Sequence, residues 1–140
     1  MDIRKLTQRY SVSPQIGPDD MAGLSEAGIT HILCNRPDAE VPPSHCAAAI
    51  RAAAEAAGLT FAEQPLTHQS MVPDVIAQNR ALGADRDDVV LAYCASGTRS
   101  TIAWALGQAG EMNTDEIVEA ARAAGYDLSN IVQVLDQPFR

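Results

Sequence analysis

Val89-Val90-Leu91-Ala92-Tyr93-Cys94-Ala95-Ser96-Gly97-Thr98-Arg99-Ser100 decides how this chain folds. Val89 to Tyr93 carry no charge, and such a short apolar run is the pattern of a buried strand. Ser100 to Leu106 continue as a helix ending near Gly110. The turn between them holds a cysteine, a glycine, an arginine and two hydroxyls. A strand that feeds a helix through such a turn is one unit of a parallel α/β layer.

The same alternation extends outward in both directions. Upstream, Tyr10-Ser11-Val12-Ser13 reads as a first short strand, followed by a helix with Pro18 in its opening turn and its end at Gly28. Ile29 to Cys34 is an apolar, β-branched strand, and Asn35-Arg36-Pro37-Asp38 a loop at its C-terminal end. Ser44 is placed to cap an Ala-rich helix running to about Gly58. Leu59 to Gln64 is a further strand, and Pro65 to Ser70 a loop. A helix with Pro73 in its first turn then runs to Leu82. Downstream, Asn113 and Glu116 fit a capping box for a helix to Ala124, and Asp127 or Ser129 starts a last short helix. The expected fold is a single α/β domain over residues 1–140, its central and mostly parallel sheet flanked by helices. Ligands of such sheets bind at the strands' C-terminal ends, where the loops at Cys34–Asp38, Pro65–Ser70 and Cys94–Ser100 fall.

Bulk properties narrow the function classes. Hydrophobic residues make up 46% of the chain and charged residues 20%, enough for a globular core without staples. A net charge of −8 disfavours nucleic acid and anionic membrane surfaces. No apolar run approaches the ~20 residues of a membrane span. The N-terminus lacks a signal-peptide pattern, so a cytoplasmic location is expected. The cysteines Cys34, Cys46 and Cys94 are odd in number and lack paired spacing, which argues against a disulfide framework and against a metal site. No cofactor is expected.

Cys94 stands apart from the other two. A thiol becomes a strong nucleophile on losing its proton, and a helix N-terminus or a nearby cation favours that loss. The helix after the turn offers unpaired N–H groups, and Gly97 lets the backbone curl so that they converge. Arg99 supplies a planar fork for two oxygens of a tetrahedral anion. Ser100 or Thr101 can donate a hydroxyl to the sulfur. Cys94 and Arg99 are therefore the candidate catalytic pair, with Ala95, Ser96, Gly97, Thr98 and Ser100 as the anion cradle. Cys34 ends a strand with no such loop behind it, and Cys46 lies early in a helix, so both read as packing.

Cys-x-x-Gly-x-Arg-Ser between a strand and a helix resembles the active-site loops of rhodanese-type sulfurtransferases and protein tyrosine phosphatases. The wider chain is similar to the phosphatase-like domain family found alone or fused in beta-lactamase-hydrolase-like proteins. Ser11 to Ile16, Cys34 to Asp38, Tyr93 to Ser100 and Ala123 to Leu128 carry that likeness. It implies a tyrosine-phosphatase-like fold and a tie to sulfide and persulfide metabolism, with a partner sulfur dioxygenase or sulfide oxidoreductase.

Two departures separate the chemistries. Phosphatases of this kind carry Cys-x5-Arg, whereas only Ala95, Ser96, Gly97 and Thr98 lie between Cys94 and Arg99. Dual-specificity phosphatases place an Asp general acid at about the position of His68 in Pro65-Leu66-Thr67-His68, and Asp74 lies farther on. Ala95 also stands where family members commonly have Arg. The short loop and the missing Asp point to sulfur transfer: Cys94 takes sulfane sulfur from thiosulfate or a persulfide and passes it on. The alternative is hydrolysis of a phosphate ester through a phosphocysteine, with His68 or Asp74 protonating the leaving group. A third reading is a non-catalytic sulfur carrier or anion-binding module. Around the loop, Arg36 is a candidate source of positive potential, and Asp38 a candidate to orient Arg36 or Arg99. His31 reads as a satisfied core histidine, His45 as solvated, and Trp104 as packing.

Overall fold

The computed structural model describes residues 1–137. In chain order the elements are β1 (Arg4–Lys5), β2 (Tyr10–Ser13), α1 (Met21–Glu26), β3 (His31–Cys34), α2 (Ala47–Ala56) and β4 (Thr60–Glu63). They continue with α3 (Pro73–Leu82), β5 (Val90–Tyr93), α4 (Thr98–Gln108), α5 (Thr114–Ala123) and α6 (Val132–Asp136). The five-stranded sheet has the order β1-β2-β5-β3-β4. Four of its strands run parallel, as the alternation of strands and helices requires, and the edge strand β1 pairs antiparallel with β2.

The two-residue period of a strand explains how β5 anchors both halves of the core. Leu91 and Tyr93 face one layer, with Ile32, Ile50, Leu24 and Phe61 from β3, α2, α1 and β4. Val90 and Ala92 face the other, with Val12, Leu33, Ile76, Trp104 and Ile117. Each fully buried Leu or Ile here contributes about 1.5–3 kcal/mol, and β5 has such neighbours on both faces. The central strand is therefore the hardest to shift, and it delivers Cys94 directly. Helices cover both faces of the sheet, so the expected α/β architecture stands. Among the described residues no helix is long and apolar enough to cross a membrane.

Local differences from the sequence-based expectations have physical causes. Strand β1 is only two residues long, with two charges, and leaves no hydrophobic signature. Ser44 does not cap α2: it lies in a 3-10 turn, Pro43–His45, and the N-cap position is Cys46. Asp38 Oδ1 accepts instead from the Ala47 N–H at 2.8 Å, so the first turn of α2 is satisfied from a distant loop. Asn113 does cap α5, accepting from the Asp115 N–H at 2.8 Å. His31 is a satisfied core histidine, with Thr60 Oγ1 at 2.7 Å and the Leu82 carbonyl at 2.9 Å. Trp104 packs in the core.

Candidate active site

Parallel strands aim their C-terminal ends the same way, so Ser13, Cys34, Glu63 and Tyr93 open onto one edge. The loops that follow are stitched together by main-chain bonds. Asn35 N donates to the Tyr93 carbonyl at 2.8 Å, Leu66 N to the Asn35 carbonyl at 2.9 Å, and Gln15 N to the Ala95 carbonyl at 3.2 Å.

The loop after β5 turns at Gly97, whose φ of +94° is left-handed and also makes it the N-cap of α4. A β-carbon there would collide with the Tyr126 hydroxyl, so the position suits glycine on two counts. Tyr126 Oη donates to the Ser96 carbonyl at 2.9 Å and holds the loop from behind. Cys94 is fully buried at the floor, and its Sγ accepts the Gly97 N–H at 3.1 Å. Helix α4 starts at Thr98, two residues earlier than the hydrophobic pattern indicates, which places Arg99 within its first turn.

Arg99 is buried and doubly gripped. Its Nη1 donates to Glu40 Oε2 at 2.9 Å and to the Leu66 carbonyl at 2.8 Å, and its Nη2 to Glu40 Oε1 at 2.7 Å. Those bonds use three of the five N–H donors of a guanidinium and leave two, on a guanidinium that also interacts with the Cys94 side chain. The Glu40 carboxylate, with Cys94 behind it in importance, holds the Arg99 guanidinium above its ordinary value, against the effect of burial. Reciprocally, the bond from Arg99 holds the Glu40 carboxyl below the usual carboxylate range.

Beneath the loop lies a buried polar network. Ser100 Oγ donates to Asn35 Oδ1 at 2.9 Å, and Asn35 Nδ2 donates to the Gln64 carbonyl at 3.0 Å and to Asn79 Oδ1 at 3.2 Å. It fixes the start of α4 against the ends of β3 and β4.

The model for the beta-lactamase hydrolase-like protein, phosphatase-like domain, matches residues 2–111. The chain belongs to that family. A beta-lactamase hydrolase-like protein of Xylella fastidiosa is 33% identical over 98% of the chain, which corresponds to 32% of that protein. The chain thus spans about a third of the length of the curated relatives it matches. The crystal structure of a candidate phosphatase from Neisseria meningitidis is 38% identical, covers 97% of both chains and superposes with a TM-score of 0.84. Tk-PTP in its active form, 15% identical with a TM-score of 0.74 over 99% of this chain and 96% of its own, shares the fold. The family is one of cysteine-based, phosphatase-like domains.

Within this phosphatase-like domain several candidate residues sit differently from expectation. The Ser100 and Thr101 hydroxyls do not reach Cys94. Ser100 is spent on Asn35, and Thr101 Oγ1 donates to the Gly97 carbonyl at 2.7 Å, the back-bond of a helical threonine. The sulfur instead receives a main-chain amide. Ser96 Oγ donates to Thr98 Oγ1 at 2.9 Å and accepts from the Thr98 N–H at 3.4 Å, and Ala95 and Ser96 are exposed at the mouth. Asp38 orients neither arginine, because its carboxylate is committed to Ala47. Glu40 does that work, and the sequence offered no signal for it beyond a carboxylate four residues after Arg36. His68 is exposed on the Pro65–Ser70 loop, and Asp74 is exposed in the first turn of α3. Cys34 is packed in the core, where burial pushes its thiol up.

Proposed function

We propose that the domain hydrolyses phosphate monoesters through a phosphocysteine on Cys94. The observation that carries this reading is the arrangement of Arg99. Its guanidinium is clamped on one side by Glu40 and the Leu66 carbonyl, with two donors left over, at the first turn of a helix whose N-cap amide already points at Cys94 Sγ. A phosphoryl group spreads charge over three equatorial oxygens as it transfers, and preorganised donors stabilise that charge most.

In this mechanism Cys94 Sγ attacks phosphorus in line as the ester P–O bond breaks, and the leaving oxygen takes a proton. Water then attacks the phosphocysteine, the P–S bond breaks, and inorganic phosphate leaves with the sulfur regenerated. Arg99 and the loop amides of Ala95 to Ser100 hold the oxygens in both steps. His68, on the neighbouring exposed loop, is the candidate proton donor to the leaving group. The substrate is a small anionic phosphate ester, consistent with the phosphatase names of the relatives. Sulfur transfer through a Cys94 persulfide is favoured by the four-residue spacing of Cys94 and Arg99 and by His68 standing where an Asp general acid is expected. The relatives reported above carry no sulfurtransferase name.

Intact-protein mass spectrometry after brief exposure to p-nitrophenyl phosphate tests the reading. A phosphoryl adduct is expected on the wild-type chain and not on Cys94→Ser. An adduct of one sulfur atom after thiosulfate, with none from the phosphate ester, would overturn it in favour of sulfur transfer. His68→Ala should slow hydrolysis of an alkyl phosphate by about 10²-fold and of p-nitrophenyl phosphate, a good leaving group, far less.

A further inference from the structure

Arg36 lies in the loop after β3, and its own bonds say what it does there. Its Nε donates to Glu40 Oε1 at 3.2 Å, its Nη2 to the Glu40 main-chain carbonyl at 3.0 Å, and its Nη1 to Gln15 Oε1 at 3.1 Å. Three of its donors are thus committed to three protein acceptors, and 19% of the side chain is exposed. Gln15 in turn donates its main-chain N–H to the Ala95 carbonyl. Glu40 Oε1, which Arg36 holds, is the same atom that receives Arg99 Nη2.

These contacts close a ring. It leaves the catalytic loop at Ala95, passes through Gln15, Arg36 and Glu40, and returns at Arg99. We propose that Arg36 is a positioning residue: it acts through Glu40 to keep the Arg99 fork aligned, and through Gln15 to keep the opposite rim of the loop in register. The proposal rests on the phosphatase reading for its kinetic consequences, while the ring itself is independent of it. Glu40 sits on a short 3-10 turn, Asp38–Glu40, with its side chain 36% exposed. Nothing in that turn fixes the carboxylate, so the two-point hold by Arg36 on its side chain and its carbonyl selects one orientation. Preorganisation of this kind acts on the transition state, because the donors need not move as charge develops. A residue that merely lent positive charge would instead act on binding.

The test uses Arg36→Met, Arg36→Lys, Glu40→Gln and the Arg36→Met/Glu40→Gln double variant of the full chain. With p-nitrophenyl phosphate, both Arg36 variants are expected to lower kcat by about tenfold, the size of a contact-coupled term, with KM changing much less. Lysine keeps the charge and cannot span the three acceptors, so it should not rescue. In the Glu40→Gln background, Arg36→Met should cost clearly less than in wild type, since its route to Arg99 is already cut and only its hold on Gln15 remains to be lost. A second readout needs no turnover. The bidentate grip of Glu40 should slow rotation of the Arg99 guanidinium and resolve its Nη signals by NMR in the wild-type chain but not in Arg36→Met or Arg36→Lys. Rescue by lysine, effects that multiply in the double variant, or Arg99 signals unchanged by Arg36→Met would each overturn the proposal. A wild-type chain with no phosphoryl adduct would sink the phosphatase reading and leave the NMR comparison to decide the ring.

Discussion

Replacing Gly97 with alanine should damage both the stability and the chemistry of this domain, and the cost can be worked from the structure. The residue sits at φ +94°, where a β-carbon costs about 1–2 kcal/mol. That carbon would also overlap the Tyr126 hydroxyl and lie 2.9 Å from Cζ. Tyr126 is 8% exposed and cannot swing away freely, so its bond to the Ser96 carbonyl would be lost, at about 0.5–1.5 kcal/mol. Alanine also stiffens the unfolded chain, which returns about 0.4–1 kcal/mol. The net loss is about 2 kcal/mol, or about 5–10 °C in Tm for a domain of this size. Differential scanning calorimetry reads the shift directly. Activity should fall further than stability does, because the Gly97 N–H that points at Cys94 moves with the loop. Tyr126→Phe removes the overlapping oxygen, so in that background Gly97→Ala should cost less, though the ring carbon still requires a small shift. A Gly97→Ala protein that melts within 2 °C of wild type and keeps its turnover would refute this account of the loop.

Two further outcomes follow from the buried and charged groups. Asn35 is fully buried and serves three partners, so Asn35→Leu should strand the Ser100 hydroxyl, the Gln64 carbonyl and Asn79 Oδ1. Chemical denaturation should show a loss of about 3–5 kcal/mol. Glu40 has its pKa lowered in the folded protein, chiefly by Arg99. Its contribution is therefore present above the ordinary carboxylate range and is lost only as pH falls through its own lower value. The stability difference between wild type and Glu40→Gln should be steady at neutral and mildly acidic pH and shrink only in strong acid, as thermal melts across a pH series will show.

The fold was legible because its signals are local. An uncharged strand, a glycine turn and a helix at β5–α4 repeat in looser form along the chain, and parallel pairing follows from that alternation. The loop residues were legible for the same reason, since Cys94, Gly97 and Arg99 are neighbours in sequence. What escaped was the support around them, which is assembled across long separations. Glu40 is 59 positions from Arg99, and Asn35 is 65 from Ser100. Asp38 and Glu40 are two residues apart and chemically alike, and only the 3-10 turn between them decides which carboxylate caps α2 and which meets Arg99. Proximity in sequence would bring the hydroxyl of Ser100 or Thr101 to the sulfur, but helical geometry turns one toward Asn35 and the other back onto its own helix.

The four-residue spacing from Cys94 to Arg99 gains a meaning from the same support. Gly97, left-handed at the N-cap, lets α4 begin at Thr98, so Arg99 is only the second residue of the helix. From there its side chain is held by partners outside the loop. Glu40 takes two of its donors and the Leu66 carbonyl a third. The carboxylate comes from the loop after β3 and the carbonyl from the loop after β4, so the candidate anion site is a joint product of three strand ends. A short loop of this kind therefore argues less for a change of chemistry than for a transfer of the positioning task from the loop to its neighbours. The spacing alone is therefore a weak guide to whether sulfur or phosphorus is attacked.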